Sequence, residues 1–225
     1  MGLIGNGILW NELKSFISSG KPTWGTCAGM VLLAERCVGT SAVIENGQSL
    51  IGGLEVVACR NYFGSQISSF EMCIDAPPGF GGCGNKKDYP GIFIRAPAIL
   101  DVYGDDVKVL TKVVATPCKK ASKVLEELDR KIQSGDDVLM STLKKKNGNM
   151  KNSDELVLNG QEEKKDLTLE EVKITLPGAA VDTNAREVIC AVRKGNLLCT
   201  AFHPELTSDP RWHQYFLDIV EKYNK

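Results

Sequence analysis

The chain reads as an α/β protein, a sheet with helices packed on its faces. Three observations predict this. Apolar runs of strand length alternate with helical patterns. A cysteine between small residues, Gly25-Thr26-Cys27-Ala28-Gly29, stands where a short apolar strand meets an apolar helix. Near the other end, His203-Pro204-Glu205 leaves a second apolar strand directly.

The elements follow in order. Residues 8–19 predict a helix, with Ile8, Leu9, Leu13, Phe16 and Ile17 on one face and Gly20 as its stop. Residues 21–24 form a short strand entry, and 28–37, apolar at almost every position, predict a helix packed on the sheet and ended by Gly39. Strands are expected at 54–58, 70–74, 91–94 and 107–114. Between two of them, 77–89 carries Gly79, Gly81, Gly82 and Gly84 and marks a surface loop. Two further strands, 187–192 and 196–202, are joined by the turn Arg193-Lys194-Gly195, and an amphipathic helix over 211–223 closes the chain. His213 lies on that helix beside Trp212, where a packing role is expected.

At 225 residues one domain, 1–225, is expected. Within it, 119–173 differs in kind. It holds 24 Lys, Arg, Asp or Glu in 55 residues, against 31 in the other 170, and no aromatic residue. Such a stretch buries too little apolar area to offset its ordering entropy. It predicts a charged, partly disordered insertion with a helix at 121–132 and a solvated Lys144-Lys145-Lys146 run.

With 27 basic and 28 acidic residues the formal charge is −1, which gives no support to nucleic acid or a membrane surface as a partner. No stretch approaches the roughly 18 apolar residues that span a bilayer. The opening Met1-Gly2-Leu3-Ile4-Gly5 lacks a charged leader, and Asn6 stands where N-myristoylation needs Ser or Thr. A cytoplasmic setting with reduced thiols is therefore expected. The eight cysteines form no CxxC pair and only two histidines exist, so no metal site is expected. Cys37, Cys59, Cys190 and Cys199 lie in apolar runs and read as buried small hydrophobes.

Cys27 is the exception. Small neighbours let the backbone turn sharply and lift a nucleophile clear of the sheet, as in the serine elbow of hydrolases. A histidine can take the thiol proton, and a carboxylate two residues on can orient that histidine. Cys27, His203 and Glu205 thus point to thiol-dependent acyl transfer at the carboxyl edge of the sheet.

These residues carry a resemblance. GTCAG with a downstream FHPEL resembles the class I (triad) glutamine amidotransferases. More narrowly, four segments resemble the glutaminase subunits of pyridoxal 5′-phosphate synthase. They are Arg60-Asn61-Tyr62-Phe63-Gly64-Ser65-Gln66, Ser69-Phe70-Glu71, Gly91-Ile92-Phe93-Ile94-Arg95-Ala96-Pro97 and Ala201-Phe202-His203-Pro204-Glu205-Leu206-Thr207. The match covers about 20–115 and 187–223, and the charged insertion resembles plant members. The resemblance implies a three-layer, mostly parallel, flavodoxin-like sheet. It implies hydrolysis of L-glutamine to glutamate and ammonia, with Cys27 as nucleophile, His203 as acid/base and Glu205 as its orienter. Arg60, Ile94 and Arg95 would bind glutamine, and the Ala28 N–H would serve the oxyanion. It implies no cofactor, and a synthase subunit as the partner that receives the ammonia.

The departure from the family pattern lies at the beginning. About twenty residues precede the strand leading to Cys27, and they hold no glycine-rich PGGES-type loop. The resemblance therefore implies a shortened form lacking the first strands, with a catalytically weak binding or regulatory partner of the synthase as the alternative reading.

Overall fold

In the computed structural model of the chain, residues 8–39, 50–64, 69–81, 88–135, 139–145 and 167–225 are described. The order is α1 (Ile8–Ser18), β1 (Thr23–Thr26), α2 (Ala28–Leu33), β2 (Ala34–Val38), β3 (Leu54–Cys59), β4 (Ser69–Ile74), β5 (Tyr89–Ile94), β6 (Ala98–Val102) and β7 (Lys108–Ala115). Then come α3 (Lys119–Gln133), β8 (Leu139–Lys145), β9 (Leu167–Lys173), β10 (Arg186–Lys194), β11 (Leu197–Thr200), a single 3-10 turn at Pro204–Leu206, and α4 (Arg211–Tyr223). Among the described residues no helix is long and apolar enough to cross a membrane.

One seven-stranded sheet runs β1-β11-β10-β6-β3-β2, with β7 also paired to β10. Helices cover both of its faces, as adjacent residues of β1 show. Trp24 turns to one face and meets His213 and Phe216 of α4, at ring-centroid distances of 5.2 and 5.4 Å. Gly25 turns to the other, against Gly29 and Leu33 of α2. The core between these layers joins Met30 and Leu33 to Val56, Ala58, Phe93, Phe202 and Trp212, all buried.

The α/β class agrees with the expectation, but the sheet is mixed rather than mostly parallel. β1/β11 and β2/β3 pair parallel, whereas β10/β11, β10/β6, β10/β7 and β3/β6 pair antiparallel. The connections explain this. Residues 195–196 alone separate β10 from β11, and a two-residue turn joins strands only antiparallel. Gly195 supplies the positive φ of 54° that the turn needs.

Two elements differ from their sequence reading. The apolar run 28–37 is helical only to Leu33, after which Ala34, at φ −66° and ψ 143°, opens β2. A uniformly apolar run carries no period to separate helix from strand, so pairing with β3 decides. Strand β6 was not expected. It begins three residues after β5, across Arg95 in a left-handed conformation, φ 47°.

The charged segment contributes to the body. In α3, Ala121 and Leu125 are buried in the main core. Asp129 pairs with the buried Arg186 of β10, whose guanidinium also donates to Pro177 O at 3.0 Å. β8 and β9 form an antiparallel ribbon. The remainder of the expected insertion, 136–138 and 146–166, lies outside the described residues, as do Gly82 and Gly84 of the glycine loop. Leu125→Ala should therefore destabilise the fold by about 2–5 kcal/mol, the usual cost of a buried leucine. Chemical denaturation followed by circular dichroism measures it, and a loss below about 0.5 kcal/mol would show that α3 is peripheral.

Candidate active site

β1 and β11 run parallel and in register, Thr26 opposite Thr200, so both strands end at the same edge. Cys27 follows one end and Ala201-Phe202-His203 the other. The Cys27 N–H donates to Thr200 O at 2.8 Å, continuing the ladder one step beyond β1. Cys27 itself sits at φ 47° and ψ −104°, a conformation that costs a non-glycine residue about 1–3 kcal/mol. Gly25 makes the bend possible. A Cβ there would lie 2.7 Å from the Gly29 carbonyl carbon and oxygen and 2.8 Å from Leu33 Cδ1, so only glycine lets α2 fold back this closely.

The Cys27 thiol donates to Ile94 O at 3.8 Å. Burial pushes its pKa above the ordinary range. The Ala28 N–H and the Arg95 guanidinium pull it down without cancelling that rise, and the Glu205 charge adds to it. At neutral pH the sulfur keeps its proton, so the site needs a base to activate it.

His203 is placed through its backbone, whose N–H donates to Ile92 O of β5 at 2.8 Å. The 3-10 turn that begins at Pro204 carries Glu205 back beside it, and His203 Nδ1 meets Glu205 Oε1 at 2.7 Å. Burial would raise the Glu205 carboxyl. The hydrogen bonds from His203 and from its own backbone outweigh this and hold it below the usual range. Engaging Nδ1 leaves Nε2 as the ring atom for proton transfer.

Beside the elbow lies a cleft of about 300 Å³. Cys27, Ala28, Arg60, Ile94 and Arg95, five of the residues singled out from the sequence, line it together. His203 and Glu205 do not line it. Val31, Asn61 and Pro97 complete the wall and were not singled out. Asn61 had a signal, since asparagine tolerates left-handed backbone and stands in a turn ahead of Gly64. Among the described residues the non-glycine positive-φ positions are Cys27, Asn61, Arg95 and Asn184, so three of the four border the cleft. Strain of this kind concentrates at functional sites.

Other candidates fall elsewhere. His213 packs its ring against Trp24 on α4. Cys59, Cys190 and Cys199 are buried, whereas Cys37 is only half-buried because β2 sits at the end of the sheet order. Burial pushes Cys37 up to about 11 and Cys59 up to about 12. Among the described residues no group of three or more His, Cys, Asp or Glu is arranged to hold a metal.

An α/β sheet with a cysteine elbow on one strand end and a His-Glu pair on the next is an arrangement suited to thiol-dependent acyl transfer. Comparison with known proteins narrows this. The family model for the SNO glutamine amidotransferase family matches residues 2–122, and the chain belongs to that family. It is 39% identical over 214 residues to the "Probable pyridoxal 5'-phosphate synthase subunit PDX2" of Arabidopsis thaliana, covering 95% of this chain and 64% of the relative. To the corresponding protein of Dictyostelium discoideum it is 33% identical over 217 residues, covering 94% and 61%. The chain thus spans a little under two thirds of the length of these curated relatives. A solved structure described as a glutamine amidotransferase superposes with a TM-score of 0.52 at 25% identity, over 95% of this chain and 68% of that one.

The raised thiol has a measurable consequence. Only the thiolate alkylates, so a pKa above the ordinary range shifts the pH profile to the right. Alkylation of Cys27 by iodoacetamide, followed on its tryptic peptide, should reach half its maximal rate above about pH 8.5, the free-cysteine value. A midpoint below pH 8 would mean that Arg95 and the Ala28 N–H outweigh burial.

Proposed function

We propose that this chain is a glutaminase subunit that hydrolyses L-glutamine and passes the ammonia to a pyridoxal 5′-phosphate synthase subunit. The observation that carries the reading is the cleft itself. Cys27, the Ala28 N–H and two arginines face one cavity, while the His203–Glu205 pair stands on the neighbouring strand end. The names of the relatives, synthase subunits, support the partner. On this reading the chain is one glutaminase domain, 1–225, carrying a charged insertion at 119–173, and it works in the cytoplasm without a cofactor.

The chemistry follows from the groups present. Arg60 and Arg95 take the α-carboxylate of glutamine, since a guanidinium forks onto a carboxylate with two parallel hydrogen bonds. The side-chain amide then lies over the sulfur. His203 Nε2 removes the thiol proton, which the buried thiol does not release alone, and Glu205 holds the imidazolium that forms. The sulfur adds to the amide carbon, and the developing oxyanion takes the Ala28 N–H. One such donor is worth roughly 2.7–4 kcal/mol in the transition state. His203 returns the proton to the departing nitrogen, giving ammonia and a γ-glutamyl thioester. Water, deprotonated by the same histidine, then releases glutamate and restores the thiol.

A second reading is a catalytically weak partner of the synthase subunit, and one observation favours it. His203 and Glu205 are not among the residues that line the cleft beside Cys27. Ammonia release measured with and without the synthase subunit separates the two readings.

Cys27→Ala should abolish glutaminase activity while leaving co-purification with the synthase subunit intact. Unchanged turnover in that variant would refute the assignment. Arg60→Ala should raise KM for glutamine by about tenfold to a hundredfold with a smaller change in kcat, because it removes a charge-assisted contact to a part of the substrate that does not react. A loss confined to kcat would place Arg60 outside substrate capture.

A further inference from the structure

At the cleft edge the sheet ends on one wholly buried polar side chain, Thr200. It is the last residue of β11 and is hydrogen-bonded in three directions. Its carbonyl accepts the Cys27 N–H at 2.8 Å. Its hydroxyl donates to Phe202 O at 3.3 Å and accepts from Trp24 Nε1 at 3.2 Å. The Phe202 carbonyl and the His203 N–H belong to the same peptide unit. The N–H end of that unit donates to Ile92 O at 2.8 Å, so both polar ends of a rigid plane are tied down. Fixing the plane fixes the bond about which the His203 side chain leaves the backbone.

We propose that Thr200 is a positioning residue that couples nucleophile to base, its carbonyl holding the Cys27 elbow and its hydroxyl holding the peptide unit that aims His203. Strand β5 supplies the second reference point. Ile92 O takes the His203 N–H, and Ile94 O, two residues on, takes the Cys27 thiol. Both reacting groups are thus referred to the same two strands. The Trp24 indole donates to the hydroxyl, while the hydroxyl's own single proton goes to Phe202 O. The threonine methyl fills space in the core, and the hydroxyl does the aligning. The kinetic consequence rests on the glutaminase reading; the effect on His203 geometry does not.

The test is Thr200→Val, which keeps the shape and the carbonyl and removes the hydroxyl. It should lower kcat by about tenfold to a hundredfold, the scale expected of a small misplacement, with KM within about twofold. Thr200→Ser should restore most of kcat. A structural readout accompanies the kinetics. The chain has two histidines, so the imidazole ¹H–¹⁵N spectrum is simple, and a His203→Gln control assigns it. The His203 Nδ1 resonance should move in Thr200→Val and return in Thr200→Ser. Removing the hydroxyl leaves the Trp24 indole unpaired, so Trp24→Phe/Thr200→Val is made in parallel. It lacks that orphan and should still show the lowered kcat, while Trp24→Phe alone, with the hydroxyl still on Phe202 O, should keep most of it. A Thr200→Val protein with wild-type kcat and an unmoved His203 resonance overturns the proposal, as does failure of serine to rescue. Should the wild-type chain release no ammonia with its synthase partner, the glutaminase reading falls, and the His203 resonance alone decides the positioning role.

Discussion

The site depends on one register. β1 and β11 lie side by side, parallel, with Thr26 opposite Thr200, and that pairing brings residues 176 positions apart in sequence to a common edge. A slip of one residue would turn Trp24 and Gly25 to the wrong faces. The indole would then meet α2, where no space exists, and the glycine would face α4. The register is therefore fixed from both sides of the sheet at once, by a large ring that needs the α4 aromatics and by a missing side chain that α2 requires. The placement of Cys27 and His203 at one edge is a by-product of core packing.

Much of this was legible in the sequence, and for definite reasons. The elbow could be read because its small residues answer a steric demand: the contact that Gly25 makes with Gly29 tolerates no Cβ. The His203–Glu205 pair could be read because two positions and an intervening proline fix a local geometry. Helices α1, α3 and α4 carry a helical period and fell within two residues of their expected bounds. What escaped was set by distant partners. The run from Ala28 to Cys37 has no period, so only its pairing with β3 divides helix from strand. β6 is a strand because β3 and β10 offer their edges to it. Thr200 looked like any strand threonine, since two of its three hydrogen bonds, to Cys27 and Trp24, are made only through the fold.

The charged segment shows the same division. Its composition forecast exposure, and most of α3 is indeed solvated. Yet Leu125 and Arg186 together anchor that helix, one through apolar burial and the other through a guanidinium sealed beneath Asp129. Arg186 is 1% exposed, and an arginine so buried needs its carboxylate, because an uncompensated charge in the interior costs several kcal/mol. Composition averages over a window and does not see one leucine and one aspartate on the inner face of a helix.

The electrostatics of the elbow impose an order on the chemistry. Many activated cysteines rest as thiolates beside a cation. Here burial dominates, and Glu205, which steadies the histidine, also raises the thiol. The carboxylate therefore opposes ionisation of sulfur before the proton moves and favours the imidazolium once it has moved. A resting thiol in such a field is protected from adventitious electrophiles. A neighbouring base such as His203 would have to take the proton before the sulfur could attack. The backbone is also strained at Asn61 and Arg95, at φ 53° and 47°. Both residues line the cleft together with Cys27, and backbone strain of this kind concentrates at functional sites.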